Sequence, residues 1–183
     1  MKKALRFFAV VLLAVLPFVA SAQNNKIFRE VKQLADVELN GGDAHIYVIS
    51  LPEDGRDHYY LSVGRMSLGN EVVQVQVDPL SVLYIPLGDS LKDALAKLEE
   101  MKALLKKEVG SSIETPGCLC VAYPSDENPE AVTVSHYRPL LEHQLEFRID
   151  RENYILAAFI GGSDFKSLVS SVKFYKRLHP KEN

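Results

Sequence analysis

The chain has 183 residues, 47% of them hydrophobic and 25% charged, with 21 Lys and Arg against 24 Asp and Glu. Three of those basic residues and no acidic one fall in the first 22 positions, so the remainder carries 18 basic against 24 acidic groups, a formal charge of −6. That composition supports a packed core, and without a basic cluster it repels phosphate backbones, which argues against nucleic acid as a partner.

The N-terminus, MKKALRFFAVVLLAVLPFVASAQ, has Lys2, Lys3 and Arg6, then an apolar run from Phe7 to Ala20, then Ala20-Ser21-Ala22. Residues 1–22 therefore read as a secretory signal peptide cleaved between Ala22 and Gln23. The apolar run is short for a membrane span and is interrupted by Pro17, and no Cys follows it to take a lipid. No later apolar run reaches spanning length, so the mature chain is expected to be exported and soluble, periplasmic or secreted. Residues 23–43 form a lead segment with two readings: Ile27, Val31 and Leu34 suit a helix, whereas Val37 and Leu39 alternate as in a strand.

From residue 44 the pattern is extended. AHIYVISL and HYYLSVGRMS flank PEDGRD, a turn-forming cluster, and so predict a hairpin. EVVQVQVD follows, with Val73, Val75 and Val77 on one face, and then LSVLYIPL. The period then changes: Leu91, Ala94, Leu95, Leu98, Met101 and Leu105 recur at three and four, predicting an amphipathic helix capped by Asp89 or Ser90 and stopped at Gly110.

The second half repeats this order. CLCVAY, the turn-rich PSDENPE, AVTVSHYR, HQLEFRID and YILAAFIGG precede a helix with Phe165, Leu168, Val169 and Val172, in which SDFKSLV parallels DSLKDAL as cap and start. Residues 44–110 and 117–179 are thus expected to be two ββββα units of one compact domain. An uncovered sheet in each unit must close against the other. The predicted fold is α+β: a two-layer domain with a broad antiparallel sheet and two amphipathic helices on one face, a tandem duplication.

Local catalytic motifs are missing. There is no G-x-S-x-G elbow, phosphate-binding Gly loop, H-E-x-x-H pair or EF-hand loop, so no cofactor and no metal site is expected. Cys118 and Cys120 read as two small apolar residues of a buried strand; the alternative, a redox or metal pair, lacks further Cys or His nearby in sequence. Of five histidines, His58 and His136 are the catalytic candidates, each needing a carboxylate brought to it by the fold. Ser135 and His136 are adjacent but point to opposite faces of a strand, so they cannot act as nucleophile and base. Arg65 and Arg138 take corresponding places near the ends of the second strands and could together hold an anionic or carboxylate ligand. The acidic turns LPEDGRDH and YPSDENPE read as solvated hairpin tips. Tyr47, Tyr59, Tyr60, Tyr84, Tyr123, Tyr137 and Tyr154 supply rings with polar tips to a sheet or binding face.

Together these features lead us to expect a non-catalytic binding or adaptor protein of a bacterial envelope, with a protein or envelope component as partner. One alternative is an envelope-directed hydrolase with a spatially assembled His/carboxylate site. Another is a structural subunit that pairs through a sheet edge.

Overall fold

The computed structural model describes residues 30–39, 42–50, 55–64, 67–69, 74–76, 82–121 and 131–180. In chain order these form β1 (Glu30–Leu39), β2 (Gly42–Ser50), β3 (Asp57–Gly64), β4 (Ser67–Gly69), β5 (Gln74–Gln76), β6 (Val82–Gly88), α1 (Leu91–Leu104), β7 (Ser112–Pro116), β8 (Leu119–Val121), β9 (Ala131–Tyr137), β10 (Gln144–Asp150), β11 (Ile155–Gly161) and α2 (Gly162–Leu178). The strands make two antiparallel sheets, one ordered β1-β2-β3-β6-β8 and the other β5-β4-β11-β10-β9-β7. The fold is α+β, and the ββββα order occurs twice.

Period-two alternation decides which face of each strand is buried. Ala44, Ile46 and Val48 of β2, Leu61 and Val63 of β3, and Leu83, Ile85 and Leu87 of β6 turn inward from the first sheet. Val132 and Val134 of β9 and Leu145, Phe147 and Ile149 of β10 do so from the second. Strand β11 lies inside its sheet between β4 and β10, and its run of Ile155 to Ala158 is buried throughout. Apart from Ile155 and Ala157, these side chains and the apolar stripes of both helices form one continuous core. Helix α1 packs on β3 and β6 and reaches β9, α2 packs on β1, β2 and β11, and the helices touch each other. Each helix therefore ties one sheet to the other. Lys32 of β1 adds a polar tie, donating to the Tyr175 hydroxyl of α2 with its ammonium 4.7 Å from that ring's centre.

The helix termini show how local sequence sets these positions. Ser90 caps α1: its extended backbone leaves Oγ to accept from the Asp93 N–H at 3.1 Å. Asp93 in turn faces Gly88, where φ is +124° and an added Cβ would sit 2.7 Å from the Asp93 Cβ, so the close approach requires glycine. Helix α1 ends at Leu104, six residues before the expected stop at Gly110. The Gly110 N–H instead donates to the His136 carbonyl at 2.8 Å as the chain turns toward β7.

Helix α2 begins differently, because Gly161 is its N-cap residue and no side chain caps it. Ser163 is thus not the counterpart of Ser90. The Gly162 N–H is satisfied by the His143 carbonyl at 2.7 Å, and a methyl group at Gly162 would sit 2.8 Å from that same oxygen. The close approach requires glycine and replaces the cap.

Pairing also redraws the repeat. Within the lead segment residues 30–39 form a strand, while Ile27 lies outside the described residues, and β7, unremarked in the sequence pattern, is an edge strand ending at Pro116, as suits a residue with no N–H. The two meanders are β1-β2-β3-β6 followed by α1 and β7-β9-β10-β11 followed by α2. The β4–β5 hairpin lies within the first run but pairs with β11, and β8 lies within the second but pairs with β6. The CLCVAY segment is therefore not the topological partner of AHIYVISL.

The caps supply a test. Replacing Ser90 with Ala is expected to lower unfolding free energy by about 1 kcal/mol, whereas Ser163→Ala is expected to change it by less than about 0.5 kcal/mol. Urea unfolding of the two variants measures both values; equal losses would contradict the assignment.

Candidate functional site

The β9–β10 hairpin brings two histidines together. His136 is the third inward residue of β9 and only 2% exposed. Its Nδ1 lies 2.9 Å from the Lys107 carbonyl, which can only accept, so Nδ1 carries a proton and donates. That leaves Nε2 of the neutral ring as an acceptor for His143, whose Nδ1 is 2.7 Å away; the rings stack with centres 4.9 Å apart. Only one proton fits between the two facing nitrogens. His136 is held further by its own backbone, whose N–H donates to the Ser111 carbonyl at 2.9 Å.

Exposed His143 closes the other side of the turn, and its carbonyl is the acceptor at the start of α2. Its pKa is lowered from the ordinary histidine value. Lost hydration is the largest cause, followed by repulsion from Arg138, His136 and Lys166. Between the two histidines, the turn carries exposed Arg138 and then Leu140 and Leu141, which are 96% and 83% exposed. Leu140 has φ +58°, a left-handed conformation that costs a residue with a Cβ about 1–2 kcal/mol. The Glu142 N–H closes the turn on the Pro139 carbonyl at 3.2 Å.

His58, unlike His136, finds a carboxylate. It lies on the outer face of β3, and its Nδ1 is 2.9 Å from Oδ1 of Asp89, the residue before the α1 cap. Nearby Tyr60 has its hydroxyl pKa raised, first by burial and then by the Asp89 charge. On this face Tyr47 lies opposite Tyr60, and Ser62 lies between His45 and Tyr84 on the neighbouring strands. Ser62 is buried there, and His45 contacts the Tyr47 ring at 5.4 Å between centres.

Both histidine candidates thus have partners, but of different kinds: a carboxylate for His58 and a second imidazole for His136. Ser135 points away from His136, as expected, and donates to Glu146 at 3.1 Å. Arg138 follows β9, the second strand of its meander, while position 65 follows β3, the third strand of the other. The correspondence drawn between Arg65 and Arg138 is therefore not carried by the pairing, and Arg65 itself lies outside the described residues, as do the Ala22–Gln23 junction and Tyr123. Tyr59 faces the core rather than the surface. Cys118 is buried, its thiol donating to the Thr115 carbonyl at 3.3 Å, and Cys120 lies opposite Leu83 in the β6–β8 pair. Among the described residues no three His, Cys, Asp or Glu side chains converge as a metal site requires.

The pairing of His143 with His136 went unnoticed in the sequence. Its signal was present: two histidines seven apart around the turn sequence YRPLLE, with two leucines at the point where a turn is ordinarily polar. No family model, no curated protein and no solved structure matches the chain.

A histidine held less protonated in the folded than in the unfolded chain contributes stability above the ordinary histidine pKa near 6.5, and that contribution is lost as pH falls through the lower, folded value. NMR titration of the His143 ring is expected to give a midpoint below the ordinary histidine value and a rise in that midpoint in Arg138→Gln. A midpoint at or above the ordinary value would contradict the geometry.

Proposed function

We propose that this chain is an exported, non-catalytic binding or adaptor protein of a bacterial envelope, engaging a protein or envelope component through the tip of the β9–β10 hairpin. One observation carries the reading: Leu140 and Leu141 stand almost wholly in water on a turn whose base is fixed by the His136–His143 and His143–Gly162 contacts. Full burial of such a side chain is worth about 1.5–3 kcal/mol. Covering this tip recovers that energy, and the fixed base limits the ordering cost of binding. The leader-like residues 1–22 support export. The engagement of both ring nitrogens of His136 supports an anchoring role over that of a base.

A hydrolase is the second reading, favoured by the His58–Asp89 pair. It requires a nucleophile or a bound water at the outer face of β3, and His58→Gln would then abolish turnover.

A photo-crosslinking residue at position 141, expressed in a bacterial envelope, is expected to give a discrete adduct that one at exposed Glu152 does not. Leu140→Ser with Leu141→Ser is expected to leave the melting temperature unchanged and to remove an adduct formed from position 137. Equal labelling from 141 and 152 would contradict the reading.

A further inference from the structure

The exposed side of α2 gathers positive charge. From Phe165 to Leu178 the helix holds Lys166, Lys173, Lys176 and Arg177 and no acidic residue, although acids outnumber bases in the chain as a whole. Lys166, Lys173 and Arg177 recur at seven and four, and so line one flank. Phe174 and Leu178, four apart and 54% and 60% exposed, form the adjoining ridge. Arg177 joins flank and ridge, its guanidinium 5.5 Å from the centre of the Phe174 ring.

Beside the cations an open groove of about 690 Å³ runs toward α1, lined by Leu95, Ser170, Lys173, Lys176, Arg177 and Pro180. Lys173 is tied to Glu99 of α1 at 2.6 Å, and Glu99 also binds Lys102. The helix macrodipole accounts for cations in the last turn, at Lys176 and Arg177. It does not account for Lys166 near the opposite end, for the absence of acids between, or for two large apolar side chains in water.

We propose that this face of α2 docks on an anionic lipid surface, with the cations meeting phosphate headgroups and Phe174 and Leu178 entering the headgroup boundary. A helix with one cationic flank and an adjoining apolar ridge lies in the interface plane rather than across it. No helix among the described residues is long and apolar enough to cross a membrane. Lipid is favoured over a soluble anion because charge alone gives no use for the apolar ridge. Lys166 also acts on His143 at the base of the hairpin, but Lys173, Lys176, Arg177 and the ridge lie further along α2, and the proposal does not rest on the tip's role.

Sedimentation of the chain with phosphatidylglycerol vesicles tests it, with phosphatidylcholine vesicles and soluble inositol hexaphosphate as comparisons. Wild type is expected to bind phosphatidylglycerol and not phosphatidylcholine, with binding that weakens as salt rises. Lys176→Gln with Arg177→Gln should weaken partition roughly 25-fold, at about five-fold per cation. Phe174→Ser with Leu178→Ser should also weaken it while circular dichroism and melting stay unchanged. All forms share one N-terminus, so a difference among them reports on α2 alone. Equal partition of wild type and both variants would overturn the proposal, and so would inositol hexaphosphate binding that survives loss of Phe174 and Leu178 without vesicle binding.

Discussion

Everything else in this structure depends on the exchange of strands between the two sheets. The β4–β5 hairpin leaves the first run to pair with β11, and β8 leaves the second to pair with β6. Only positions 65 and 66 separate β3 from β4, and only Gly117 and Cys118 separate β7 from β8, so the chain passes between sheets within two residues at each place. Such short links hold the two sheets close to each other. Both sheets then share one core, and neither meander has to cover its inner face alone. The buried thiol of Cys118 lies in one of these links, where its bond to the Thr115 carbonyl satisfies a polar group inside the junction.

The hairpin tip takes its stiffness from the same core. His136 occupies an inward position that its strand neighbours fill with Val132 and Val134, and its burial is tolerated because both ring nitrogens have partners. One of those partners belongs to the segment after α1 and the other is the residue just before β10, so the imidazole joins three pieces of chain. The carbonyl of His143 extends the connection to α2 through Gly162. Two leucines are therefore presented from an ordered base, which distinguishes them from apolar residues on a loose loop.

The sequence made the elements legible but left the pairing open. Strands β2, β3, β6, β9 and β10 follow from alternation, and α1 and α2 from spacings of three and four, because burial on one face imposes those periods, whereas β11 follows from a short continuous apolar run. Strand β7 was missed since SSIETP has a single strong apolar residue and ends in proline. The equivalence of CLCVAY with AHIYVISL was misleading for a different reason: similar alternation says nothing about which neighbour a strand chooses. Ser163 resembled a cap by position, but a backbone carbonyl from across the fold had already satisfied the amide that needed one. The partner of His136 depended on the turn YRPLLE, whose two leucines hid its turn character.

The exchange of strands is most directly tested by NMR contacts across the two exchanged pairs, between Leu83 and Cys120 and between Leu156 and Leu68. Cross-strand amide contacts at both places are the predicted result. Contacts placing 119–121 beside 131–137, with 67–76 between β3 and β6, would instead describe two unbroken sequential sheets and would contradict the account.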